Sequence, residues 1–144
     1  KTNGGFLVTK IKQLGDRIFE RILAEKNIDA FNGAQGRILY VLWQEDGVPI
    51  KIISEKSGLA ITSLTTMLER MEKNGLISRK TDEADKRKTL LFLTDKAKEL
   101  KEAYDSVSNE MGNIYYRDFT DKEILQFEEY LNRIRVNLEE WSDK

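Results

Sequence analysis

Residues 50–94 decide the fold of this chain. They read Ile50-Lys-Ile-Ile-Ser-Glu-Lys-Ser-Gly58, Leu59-Ala-Ile-Thr-Ser-Leu-Thr-Thr-Met-Leu-Glu-Arg-Met-Glu-Lys-Asn-Gly75, Leu76-Ile-Ser-Arg-Lys-Thr81, Asp82-Glu-Ala-Asp-Lys-Arg-Lys88 and Thr89-Leu-Leu-Phe-Leu-Thr94. The first run predicts a brief helix ending at Gly58, where a left-handed residue is needed and a missing Cβ removes the clash. The second predicts a longer helix, since Leu64, Met67, Leu68 and Met71 recur at helical spacing and Asn74-Gly75 stops it. Two short strands around the polar loop 82–88 complete the segment. A helix pair followed by a hairpin that carries clustered cations is a layout suited to gripping DNA.

Working outward, 144 residues with 40% hydrophobic content are enough for one domain-sized protomer with a core. The longest uninterrupted apolar run, Ile38-Leu-Tyr-Val-Leu-Trp43, is far short of the roughly 20 residues that cross a bilayer. No membrane partner is expected. The start, Lys1-Thr-Asn-Gly-Gly5, has neither an initiator Met nor the apolar core of a signal peptide, so it reads as a trimmed start and the cytoplasm as the expected location. The chain has no Cys and no His. That removes disulfides, thiolate metal sites, the commonest metal ligand and the commonest general base at neutral pH. No metal, cofactor or catalytic residue is assigned. The acids Asp82, Glu83 and Asp85 lie in a charged loop and suit a solvated surface better than a buried acid/base pair.

A net charge of −1 argues at first against nucleic acid. Its distribution does not. Residues 70–88 hold seven cations against four anions, whereas residues 118–144 hold eight anions against four cations.

The flanks are helical. From Phe6 to about Lys26, the residues Leu7, Ile11, Leu14, Ile18 and Ile22 alternate spacings of four and three, with Phe19 and Leu23 widening the stripe. Asn32-Gly-Ala-Gln35 can cap a mostly core helix that carries Ile38, Leu39, Val41, Leu42 and Trp43 and ends near Asp46-Gly47, after which Pro49 suits the start of the next helix. Thr94-Asp95 starts a helix through Leu100, Tyr104, Val107, Met111 and Ile114. Thr120-Asp-Lys-Glu123 is a capping box before a stripe of Ile124, Phe127, Leu131, Ile134, Leu138 and Trp141. These stripes exceed what a compact centre of about 45 residues can cover, so a second subunit is their natural outlet. A closed monomeric bundle is the alternative.

The turn Ser57-Gly58-Leu59, the run Leu68-Glu-Arg-Met-Glu-Lys-Asn-Gly-Leu-Ile-Ser-Arg79 and the loop Asp85-Lys-Arg87 leading into Leu93-Thr94 resemble the MarR-type winged-helix transcriptional regulators of bacteria and archaea. Order and spacing, with long helices on both sides, extend the resemblance over nearly the whole chain. It implies a mainly α fold with a small β-hairpin: one protomer over 1–144, with a winged helix-turn-helix region at 32–94 and dimerisation helices at 6–31 and 95–144. It also implies a homodimer on double-stranded, inverted-repeat operator DNA, most often as a repressor. The wing would act as a minor-groove finger in which Asp85 orients Arg87, and a small aromatic or amphipathic effector would lodge between the dimer helices and the winged helix. Ala60 stands where the family commonly has a capping Ser or Thr, and Ile61 and Thr66 where it often has Arg, which shifts the burden of phosphate clamping to the wing.

On the second helix the face opposite Leu64 and Leu68 presents Thr62, Thr66 and Lys73, flanked by Ser63 and Arg70 on one side and Thr65 and Glu69 on the other. Hydroxyls meet phosphate or either kind of base edge, and Thr methyls can touch a thymine methyl. The DNA-binding set is therefore Thr62, Ser63, Thr65, Thr66, Arg70, Lys73, Arg79, Lys86, Arg87 and Lys88. A narrow A·T-rich minor groove attracts an inserted Arg, which suits Arg87. Tyr40, Trp43 and Tyr104 are candidates to line an effector pocket, although each also fits a core stripe. Arg79, at the hairpin base, serves either the phosphate backbone or an effector carboxylate. The rival to DNA recognition is a winged helix that binds another protein, with the hairpin charges as plain solvated surface.

Overall fold

The computed structural model describes residues 1–143, and Lys144, one of the cations counted above, lies outside them. In chain order the elements are α1 Gly4–Glu25, α2 Gly33–Gln44, α3 Ile50–Ser57, α4 Ile61–Lys73, β1 Ile77–Thr81, β2 Thr89–Leu93, α5 Asp95–Glu99, α6 Lys101–Tyr115 and α7 Asp121–Ser142. This is the mainly α fold with one hairpin that the sequence implies. The chain divides into two compact units, Lys1–Asn109 and the stretch from Glu110 onward.

In the first unit, local chemistry sets the helix ends. Asn32 and Gln35 close a reciprocal box at the start of α2: the Gln35 N–H donates to Asn32 Oδ1 (2.8 Å) and the Asn32 N–H to Gln35 Oε1 (3.1 Å). Gly58 ends α3 in the left-handed conformation at φ +75°. The core gathers Ile38, Leu39 and Leu42 of α2, Ile53 of α3, Leu64, Leu68 and Met71 of α4, Leu76 just before β1, and Ile77 and Leu91 of the hairpin, all but sealed from solvent. Burying each such side chain stabilises the fold by about 1.5–3 kcal/mol.

The hairpin pairs Ile77 with Leu93 through Thr81 with Thr89 in antiparallel register. A third segment joins it that the sequence did not announce: Val48 bridges to Leu91, with the Leu91 N–H donating to the Val48 carbonyl (2.9 Å) and the Gly47 N–H to the Leu91 carbonyl (3.0 Å). The Thr94 hydroxyl donates to the Gly75 carbonyl (2.6 Å) and accepts from the Ala97 N–H (3.2 Å), so one side chain ties the turn after α4 to the start of α5.

One expectation is corrected. The helix beginning at Thr94-Asp95 is not continuous, because the Leu100 N–H donates three residues back to the Ala97 carbonyl (3.1 Å) and tightens the chain there. The α-type pattern resumes when the Tyr104 N–H donates to the Leu100 carbonyl (3.0 Å). A one-residue tightening leaves an apolar stripe almost unchanged, so periodicity does not register it.

In the second unit, Thr120 and Glu123 form the expected box, with the Glu123 N–H donating to Thr120 Oγ1 (3.1 Å) and the Thr120 N–H to Glu123 Oε1 (2.9 Å). The Tyr116 hydroxyl donates to Glu128 Oε2 (2.7 Å), and its ring meets Phe127 edge-on. No residue of α7 is buried; Leu138 is 65% and Trp141 73% exposed. A hollow of about 340 Å³ opens on this helix between Lys122, Glu123, Gln126, Phe127 and Tyr130. In α1, Ile22 and Leu23 are buried while Phe6, Leu7, Ile11 and Leu14 lie exposed.

Gly47 and Gly58 separate backbone strain from crowding. Both have positive φ, but a Cβ on Gly58 meets nothing within 4 Å, whereas one on Gly47 falls 2.6 Å from Phe92 Cε1. Gly58→Ala is expected to cost roughly 1–2 kcal/mol, the left-handed penalty alone. Gly47→Ala is expected to cost more, because the Phe92 ring must also shift. Urea unfolding of the two variants checks the order; equal losses would show that Phe92 yields freely.

Candidate nucleic-acid interface

Helix α4 turns Leu64, Leu68 and Met71 inward, which leaves Thr62, Ser63, Thr65, Thr66, Arg70 and Lys73 exposed. Its first residue follows Ala60, which has no side-chain oxygen to accept from the first-turn N–H groups. Those donors therefore stay free of any side-chain cap. The hydroxyls are not equivalent. Thr65 Oγ1 donates back to the Ile61 carbonyl (3.0 Å), so its proton is engaged within the helix and its methyl and lone pairs face outward. Arg70 and Lys73 make no ion pair with any described residue.

The loop between the strands is built by its own acids. The Ala84 N–H donates to Asp82 Oδ1 (3.0 Å) and the Arg87 N–H to Asp85 Oδ1 (3.1 Å), and backbone bonds from Asp82 to Lys88 and from Lys88 to Asp85 close the tip. Asp85 then takes the Arg87 side chain as a fork, with Nε on Oδ1 (3.1 Å) and Nη2 on Oδ2 (3.3 Å). The Arg87 side chain is nevertheless 91% exposed. The guanidinium is aimed yet open, with Lys86 and Lys88 exposed on either side.

Arg79 lies on β1 with its Nε donating to Glu72 Oε1 of α4 (3.0 Å), so the hairpin base and the helix are linked by charge. Glu72 is a partner that sequence reasoning missed, because nothing local joins positions seven apart across a turn. Lys80 lies over the Phe92 ring, 5.6 Å from its centroid.

The three proposed pocket residues come together. Tyr104 packs against Trp43 (5.3 Å between centroids), Tyr40 (5.8 Å), Phe31 (6.0 Å) and Phe19 (6.1 Å). Phe19 and Phe31 were not in the sequence-based set; their place is fixed by tertiary packing alone. Burial, then the neighbouring Tyr40, pushes the Tyr104 phenol above its ordinary range. Trp43 Nε1 is buried with no hydrogen-bond acceptor among the described residues. Among the described residues, no hydrogen bond or ring contact joins Arg79 to this cluster.

A MarR-family model matches residues 31–89, the stretch from Phe31 through the wing. This segment is of the MarR family. The regulator TtmR of Methylorubrum extorquens is 36% identical over 77 residues, 54% of this chain and 40% of that protein. The organic hydroperoxide resistance transcriptional regulator of Bacillus subtilis is 42% identical over 64 residues, 44% of each chain. The matched stretch thus spans less than half the length of either curated relative. Over a longer span, a MarR mutant from E. coli complexed with operator DNA superposes at TM-score 0.80 and 22% identity, covering 90% of this chain and 91% of that one.

Within the MarR-family segment, the Asp85–Arg87 fork has a titration signature. The Arg87 guanidinium first, and the Arg87 backbone N–H second, hold the Asp85 carboxyl below its ordinary range. A lowered folded-state pKa means that the pair's contribution is complete above the ordinary carboxylate range and is lost as pH falls through the lowered value. Carboxyl-carbon NMR titration is expected to show a depressed Asp85 midpoint that rises in Arg87→Ala. An unshifted midpoint in both proteins would mean the fork does not persist in solution.

Proposed function

We propose that this chain is a non-enzymatic, sequence-specific DNA-binding regulator of transcription that acts as a cytoplasmic homodimer on an inverted-repeat operator, as a repressor. The observation that carries the reading is the wing: Arg87 is oriented by Asp85 yet 91% exposed, on a hairpin tied to the same core that holds α4. In this reading α4 enters the major groove with Thr62, Ser63, Thr65 and Thr66 toward base edges, and Arg70 and Lys73 reach phosphates. The loop 82–88 follows the adjacent minor groove. The operator complex of the E. coli MarR mutant supports this docking by likeness of fold.

The apolar stripes of α1 and α7, open in the protomer, supply the dimer contacts. A two-fold dimer places its recognition helices about one helical turn of DNA apart. The effector reading takes the aromatic cluster as its site. An aromatic ligand would exchange stacking with Tyr40 and Tyr104, and its acceptor group would meet the unpaired Trp43 Nε1 rather than Arg79, which Glu72 already holds.

Arg87→Ala should leave fold and mass unchanged while weakening operator binding, and should flatten the log–log salt dependence by about one unit if the contact is to phosphate. Fluorescence anisotropy on a site selected from random DNA measures both. Undiminished affinity would favour a protein-binding role for the hairpin.

Ile134→Glu places a charge in the α7 stripe and is expected to convert the dimer to monomer, abolishing tight operator binding with it. Light scattering reports the mass. A wild-type protein that is monomeric at micromolar concentration refutes the dimer reading.

A further inference from the structure

Helix α4 carries two carboxylates, and the structure treats them differently. Glu72 is held by Arg79 at 3.0 Å across to β1. The Glu69 side chain is exposed and has no ion pair or hydrogen bond with any described residue. With Leu64 and Leu68 inward and 3.6 residues per turn, Glu69 is not peripheral. It projects beside the centre of the outward face, one turn after Thr65 and Thr66 and one turn before Lys73.

We infer that Glu69 is a specificity-determining residue that reads the exocyclic amine of a cytosine in each half-site. The inference rests on the operator reading above. A carboxylate offers acceptors only, so phosphates and the guanine edge, which presents N7 and O6 acceptors, repel it. The major groove supplies amino donors on cytosine N4 and adenine N6 alone. Adenine sets its N7 acceptor beside that donor, where it opposes the second carboxylate oxygen, and cytosine has no such neighbour. The surrounding hydroxyls of Thr62, Ser63 and Thr66 accept or donate and so tolerate several bases. The acid does not. It lowers affinity for most sequences and keeps it for those with a cytosine at the facing position, which is discrimination by repulsion as well as attraction.

The experiment is parallel selection from a random DNA pool with the wild-type protein, E69A and E69Q, followed by competition binding on the recovered site with each base pair substituted. Because Glu69 is solvent-exposed, both variants should keep the wild-type melting temperature and mass. The wild type is expected to prefer cytosine at one symmetric position by about tenfold, in the range of a direct base contact. E69A should erase that preference, and E69Q should move it toward adenine, whose N6 donor and N7 acceptor match an amide. Identical preferences in all three proteins overturn the assignment. So does a uniform gain of affinity on every sequence, which would make Glu69 only a repulsive surface charge. A wild-type protein that enriches no site at all overturns the operator reading itself, and this assignment with it.

Discussion

Between α2 and α3 the chain lends Asp46, Gly47 and Val48 to the hairpin. Asp46 Oδ1 accepts from the Leu93 N–H (2.8 Å), and Gly47 and Val48 exchange backbone hydrogen bonds with Leu91. A two-stranded hairpin alone is marginal in water. These bonds, together with Leu91 and Leu93 buried beneath them, turn it into part of the core. The charged tip therefore projects from a fixed base. The same core grips α4 through Leu64, Leu68 and Met71, so the helix and the wing share one rigid support. The proposed operator reading needs the separation of these two elements to be fixed, and the Arg79–Glu72 pair adds a further link between them near solvent. Exposed pairs of this kind contribute about 0–1 kcal/mol, so the bridge steers orientation more than it stabilises.

How much of this was legible in the chain follows from sequence separation. The capping boxes at Asn32 and Thr120, the left-handed stop at Gly58 and the inward face of α4 are local, and the sequence alone places them correctly. The Asp46 to Leu93 bond spans 47 positions and the Val48 bridge is a single residue pair, so neither leaves a periodic trace. Tyr104 was legible as an apolar-stripe residue, but its meeting with Phe19, Phe31, Tyr40 and Trp43 depends on three helices converging. The break at Leu100 was hidden because it disturbs one hydrogen bond and no stripe.

The two units differ in how far they are finished. The first has a sealed core from Ile22 to Val107, with polar groups largely paired. The second buries no residue of α7 and displays large apolar side chains along that helix. A long amphipathic helix gains most of its stability from packing its apolar face. For α7, such a covering must come from outside the contacts that define its own unit. The acidic balance of residues 118–144, eight anions against four cations, falls largely on that helix, so its surface is not one that attracts phosphate.

The wing presents the sharpest chemical question, since in the proposed operator reading an acid at the tip subtracts charge where charge matters. The geometry answers it. Arg carries about 2 kcal/mol of rotamer entropy when free, and a long side chain must lose much of it on entering a narrow groove. Asp85 takes both Nε and Nη2, which biases the plane and direction of the guanidinium beforehand, while other N–H donors on the fork remain open to solvent. The carboxylate's repulsion is moderated because its charge is already neutralised by the group it holds. Lys86 and Lys88 restore the positive field around the tip. The loop thus trades net charge for direction, which suits a contact whose value depends on insertion geometry more than on long-range attraction.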